Sequence, residues 1–193
     1  WFLFHDSPSH FNGDLDYTRI AIRFNHSFQF KKLGKTSFRL EAGQVWGDVP
    51  YSYLFNARAT KAGKLSVYVP DHFQTVGLYE FAASSTANLF VEHNFGNLLF
   101  KPKNISFRPE IFVIQNISYG NLQQTASHKL LTFKVPGKGL FESGLMIKNI
   151  YRRSLYSLVY IGIGGGVFYR YGFYALPKAA DNWAFKWGFS ISF

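Results

Sequence analysis

Apolar and polar residues alternate along much of this chain with a period of two. In "DYTRIAIRFNHSFQFKK" (16–32) the even positions carry Ile20, Ile22, Phe24, Phe28 and Phe30, and the odd positions carry Arg19, Arg23, Asn25, Ser27, Gln29 and Lys31. Alternation of this kind predicts a β-strand with one apolar and one polar face. Strands of soluble proteins usually run about five or six residues. A strand twice that length suits a tilted, membrane-crossing strand of roughly ten residues.

The pattern recurs. Residues 36–45 set Phe38, Leu40 and Ala42 against Arg39, Glu41 and Gly43, and residues 86–95 set Leu89, Val91 and Phe95 against Asn88, Glu92 and Asn94. Residues 107–118 set Ile111, Val113 and Ile117 against Arg108, Glu110, Asn116 and Ser118. Residues 141–149 set Leu145 and Ile147 against Glu142, Gly144 and Lys148, and 155–170 set Val159, Ile161, Ile163 and Val167 against Gly162, Gly164, Gly166 and Arg170. The chain closes on "NWAFKWGFSISF", where Trp183, Phe185, Trp187, Phe189, Ile191 and Phe193 all fall on one face. This gives about seven strands and no amphipathic helix. A terminal aromatic strand resembles the C-terminal signal read by barrel-assembly machinery, with Phe189, Ile191 and Phe193 as the readable surface.

The expected connections alternate in length: short at about 32–35 ("KLGK"), very long at 47–84, intermediate at 96–105, long at 119–140, short at 150–154 and long at 171–181. Outer-membrane barrels pair short periplasmic turns with long outer loops. With the C-terminus on the periplasmic side, each connection falls where that rule puts it. An odd strand number departs from the even counts of bacterial single-chain barrels. The expectation is therefore a barrel continued by strands before Trp1, with "WFLFHDSPSHFNGD" as an outer loop.

Composition sharpens this picture. Aromatic residues make up 20% of the 193 residues and charged residues 17%, against about a quarter charged in ordinary domains. Mean hydropathy is only −0.06, and the longest quiet stretch, "SLVYIGIGGGVFY", falls short of the roughly 18 apolar residues of a transmembrane helix. The net charge of +10 favours phosphate-bearing surfaces. It is spread along the chain without a nucleic-acid motif, so no nucleic-acid partner is expected. The absence of cysteine excludes disulfides, thiolate metal sites and a cysteine nucleophile. A start at Trp1 without a leader reads as a processed product or a piece of a longer chain.

Candidate chemistry is sparse. "IGIGGG" (161–166) fails the dinucleotide spacing and lacks a following helix, so its glycines read as close-approach positions that leave interior space or room for a plug. The six histidines show no metal spacing, so no metal or other cofactor is expected. The pairs His5–Asp6 and Asp71–His72, both expected on outer loops, raise the alternative of an outer-rim hydrolase; no catalytic residues are assigned and the expectation is a non-enzymatic protein. The inward, lumen-facing polar set is Arg19, Arg23, Arg39, Glu41, Glu92, Arg108, Glu110, Lys148, Arg170 and Lys186. It reads as ion pairs that solidify a barrel, or as an anion-selecting channel. Tyr17, Trp46, Tyr119, Tyr151, Tyr171 and Trp183 are expected in interfacial girdles. Lys61, Lys64, Lys129, Lys138 and Lys178 are expected to meet lipid A phosphates of lipopolysaccharide.

Several segments carry a family resemblance: "LEAGQVWGDVPY", "FQTVGLYEFAAS", "LFVEHNFGNLLFK", "RPEIFVIQNISYGNL", "FESGLMIKNI" and "YRYGFYALPKAADNWAFK". Together they resemble the C-terminal barrel of a Bacteroidota outer-membrane family whose longer members carry an N-terminal carboxypeptidase-regulatory-like β-sandwich domain. The resemblance runs from about Tyr17 to Phe193. It implies an all-β antiparallel transmembrane barrel in a Gram-negative outer membrane, and supplies no catalytic residues. "LEAGQVWGD" also resembles late strands of surface-antigen barrels that insert or translocate proteins. The expected function is a non-enzymatic barrel that anchors larger periplasmic domains and binds or passes a ligand. Its expected partners are outer-membrane lipid and lipopolysaccharide, the assembly machinery, and other outer-membrane proteins. The competing class is a soluble, basic, all-β binding protein.

Overall fold

A computed structural model describes residues 1–7, 16–61, 66–96, 98, 107–123, 128, 131–155 and 159–192. The fold is all-β. Among the described residues twelve strands run in chain order: β1 (Phe2–Ser7), β2 (Tyr17–Phe30), β3 (Gly34–Gly47), β4 (Phe55–Asn56), β5 (Ala59–Lys61), β6 (Phe73–Gly77), β7 (Ala82–Ala83), β8 (Ser85–Asn94), β9 (Glu110–Asn121), β10 (Leu140–Leu155), β11 (Val159–Tyr171) and β12 (Trp183–Ser192). Eight of them form one sheet in the order β1-β2-β3-β8-β9-β10-β11-β12. Every neighbouring pair is antiparallel. The sheet is an up-and-down meander interrupted by the 48–84 insert, which carries β4–β7. Among the described residues no pairing joins β1 to β12, so the sheet is not closed.

The strands are long for a reason visible in their composition. β2 and β3 pair residue for residue from Tyr17↔Gly47 to Phe30↔Gly34, and the alternation of β-branched and aromatic residues holds across that whole length. The hairpin turns at Gly34, whose φ of 102° is natural to glycine. A Cβ there would lie 1.9 Å from the Asn94 carbonyl oxygen.

Three expectations are corrected. Residues Phe2–Ser7 form an edge strand on β2 rather than a loop, which also places His5 and Asp6 on a strand and makes the sheet even-numbered. Residues 150–154 are not a turn: β10 runs on to Leu155, and Tyr151–Leu155 pair with Ile163–Val159. Asn149 (φ 58°) marks a register shift between Ile147 and Tyr151; asparagine tolerates this left-handed backbone, so a bulge stands where the sequence suggested a turn. Tyr17 does not join a girdle. It is buried on the polar face, edge-on to Tyr53 at 4.8 Å and hydrogen-bonded to His5.

The two faces of the sheet differ sharply. In β12, Trp183, Phe185, Trp187, Phe189 and Ile191 are 45–71% exposed, whereas Ala184, Lys186 and Gly188 between them are buried. Ile22, Phe24, Leu40, Val113, Leu145, Ile161 and Ile163 are exposed on the same apolar side. Burial is concentrated on the other face, beneath the insert. There Phe73, Val76 and Phe81 pack with Phe90 and Leu140, Tyr68 packs with Phe112, Ile114, Met146 and Phe168, and Val49 and Leu54 pack with Tyr17 and Val45.

Candidate functional site: an insert strapped across the polar face

The insert is fastened to the strands by buried polar contacts. Glu142 of β10 is fully buried. Its carboxylate accepts the backbone N–H of Gln74 (2.9 Å), the backbone N–H and hydroxyl of Thr75 (2.7 and 2.6 Å) and the side-chain amide of Asn116 (2.9 Å). A buried carboxylate needs such donors to offset its desolvation. Asn116 also donates to the His72 carbonyl (3.0 Å). Lys186 of β12 donates to the carbonyl and hydroxyl of Thr60 (3.1 and 3.2 Å) and to the Ser66 hydroxyl. Beside it, the Tyr68 backbone N–H donates to the Trp187 carbonyl (2.8 Å) and the Trp187 N–H donates to the Ser66 carbonyl (2.9 Å).

Charged groups continue the fastening. Arg170, 1% exposed, donates to Glu80 at 2.8 Å, and Lys134 reaches the same carboxylate at 3.2 Å. Burial pushes the Glu80 carboxyl upward, but the Gly77 N–H and the Arg170 guanidinium outweigh it, and the group sits below its ordinary range. The Tyr68 hydroxyl donates to Glu92 at 2.6 Å while its ring stacks on Phe168 at 5.6 Å. Burial, with the Glu92 charge adding to it, drives that phenol far above its ordinary value. Arg39 pairs with Asp71 at 3.0 Å. Glu41 sits between Arg23 (2.7 Å) and Arg58 (3.0 Å); the Arg23 contact is an ion pair off the line of a hydrogen bond.

The polar residues singled out in sequence therefore have definite positions. Arg39, Glu92, Arg170 and Lys186 contact the insert directly, Glu41 does so through Arg58, and Arg19 stacks over Phe55 at 4.4 Å. Lys148 lies 3.8 Å from Glu92 and over the Phe112 ring. Glu110 instead accepts from Asn94 and Asn149. Arg108 is exposed just ahead of β9 and away from this network. Asp71, weighed as a hydrolytic residue, is tied up by Arg39, and Asp6 accepts from Thr18 at 2.7 Å. The space over the β11 glycines is taken by neighbouring strands: a Cβ on Gly162 would meet Asn149, and one on Gly166 would meet Met146. Phe189 and Ile191 lie exposed on the apolar face. Phe193, Lys64 and Lys129 lie outside the described residues. Among the described residues no group of His, Asp or Glu is arranged to hold a metal.

Sequence reasoning missed Phe90, Phe112, Ile114, Met146 and Phe168, which are all buried under the insert. Each is a large apolar residue in the polar phase of its strand. That break in alternation is the signal of a partner on the inner face.

Beside the insert, a cavity of about 370 Å³ opens against β1–β3. It is lined on its polar side by Arg19, Arg23, Arg58, Glu41 and His72, and on its apolar side by Trp1, Leu3 and Phe55, among others. No family model matches the chain, and neither a curated protein nor a solved structure matches it.

Proposed function

We propose that this chain is the C-terminal part of an integral outer-membrane β-barrel whose 48–84 loop folds back into the lumen as a plug. The protein is non-enzymatic and anchors larger periplasmic domains, as the family resemblance implies. One observation carries the reading: the apolar face of the sheet is bare and the polar face is covered. In water this arrangement forfeits about 1.5–3 kcal/mol for each large apolar side chain left out. Against lipid it costs nothing, and the polar face becomes the interior.

Most connections support this placement. Three residues separate β2 from β3, and three separate β10 from β11, at one end, whereas 37 separate β3 from β8, 18 separate β9 from β10 and 11 separate β11 from β12 at the other. That is the pattern of short periplasmic turns and long outer loops, from which the 15 residues between β8 and β9 depart. The insert also bears on size. An eight-stranded barrel leaves an interior just wide enough for side chains, yet here a chain segment with its own β5–β6 pairing lies on the polar face. Among the described residues the insert bridges the β12 edge only at Trp187. The edge left over is costly in lipid, so further strands between β12 and β1 close a barrel wider than eight.

The test is extraction and electrophoresis of the native protein. It should resist carbonate and high salt, dissolve only in detergent, and migrate differently before and after boiling. Release by carbonate with no heat-dependent shift would contradict the reading.

A further inference from the structure

We propose that the cavity between β1–β3 and the insert is a binding site for a small organic monocarboxylate with a flat apolar body. Its volume of about 370 Å³ lies in the range of small-molecule sites. Its chemistry is divided. Arg19, Arg23 and Arg58 face one carboxylate, Glu41. Arg23 and Arg58 are both engaged by that carboxylate, at 2.7 and 3.0 Å. Arg19 has no carboxylate in ion-pair range among the described residues, and its buried Nε has no hydrogen-bond partner.

Arg19 is nonetheless held in place. Its guanidinium lies 4.4 Å from the Phe55 ring centroid, and Phe55 belongs to the insert, so the docked loop fixes the orientation of the cation. A fixed, planar, unpaired guanidinium is matched by a carboxylate, which accepts two parallel N–H bonds. The apolar wall formed by Trp1, Leu3 and Phe55 then takes the ligand's body. Arg152, over the Tyr160 ring at 3.9 Å, has an equally open Nε; Arg19 differs in lining the cavity beside Arg23 and Arg58. An open buried donor there costs stability until an acceptor arrives.

The experiment is ¹⁹F NMR titration of the detergent-solubilised chain with 4-fluorobenzoate, and with neutral 4-fluorobenzamide as the control. Saturable binding of the benzoate is expected, with the benzamide at least tenfold weaker. Arg19→Gln should weaken benzoate at least tenfold while keeping the wild-type gel mobility before boiling. Arg19→Lys, which keeps the charge and loses the fork, should also weaken it several-fold. Absence of saturable benzoate binding, equal binding of the two probes, or undiminished binding by either Arg19 variant would each overturn the proposal. Binding in detergent requires only the sheet and the docked insert, so the result is separable from the membrane placement of the protein.

Discussion

The outer row of β12 and the Phe73–Val76 segment of the insert have opposite chemistry and opposite burial. The row is Trp, Phe, Trp, Phe and Ile, and it is 45–71% exposed. The segment is Phe, Gln, Thr and Val, and every one of its residues is 0% exposed. In a protein folded in water the greasier segment would be the hidden one. Here the polar pair Gln74–Thr75 is buried because Glu142 and the neighbouring carbonyls satisfy it. The aromatic row stays exposed, and its one ring contact among the described residues is Trp183 against Tyr169 at 4.7 Å. Burial on the polar face follows hydrogen-bond partners, and the bare apolar face is what the proposed lipid placement accounts for.

The comparison can be broken first at its polar anchor. Glu142→Ala leaves the Gln74 and Thr75 amides and the Asn116 amide without their acceptor. Each buried donor left without its acceptor costs about 1–3 kcal/mol. The insert should undock, seen as rapid protease cleavage between 60 and 80 in the folded, unboiled form. A smaller effect is expected where the sheet is closest packed. A Cβ on Gly164 would lie 2.1 Å from the Ile147 carbonyl oxygen and 2.7 Å from the Lys148 Cα, backbone atoms that cannot swing aside, so Gly164→Ala should destabilise by about 1–3 kcal/mol, read as a lower midpoint in a thermal melt.

The smallest expected effect concerns acid. Glu80 is held below its ordinary range in the folded protein. A depressed carboxyl contributes stability that is fully present above its unfolded value and is lost as pH falls through the folded one. Lowering the pH below the usual carboxylate range should therefore loosen the 77–81 turn from Arg170. The change should be seen as faster amide exchange there, and Glu80→Gln should remove that pH dependence.

Much of this was legible in the sequence because a strand's two faces are written in alternate residues. Ile20, Ile22 and Phe24 against Arg19 and Arg23 gave a strand with one apolar and one polar face. The docking of the insert was not legible: Thr75 meets Glu142 across 67 positions, and no local pattern encodes so distant a contact. The indirect trace lay in Phe90, Phe112 and Met146, apolar residues out of phase with their strands. β1 was missed because "WFLFHDS" does not alternate, and the Tyr151–Leu155 half of β10 because a bulge at Asn149 imitates a turn. The free guanidinium of Arg19 could be found only once Phe55 and Glu41 were placed around it.

The most direct test of the inverted faces is the solvent around Trp187. In proteoliposomes, a variant that retains only this tryptophan, with Trp1, Trp46 and Trp183 replaced by Phe, should be quenched strongly by lipids brominated along their acyl chains. Aqueous iodide should leave it nearly unaffected. Strong iodide quenching with no response to the brominated lipid would place the aromatic row in water and contradict the account.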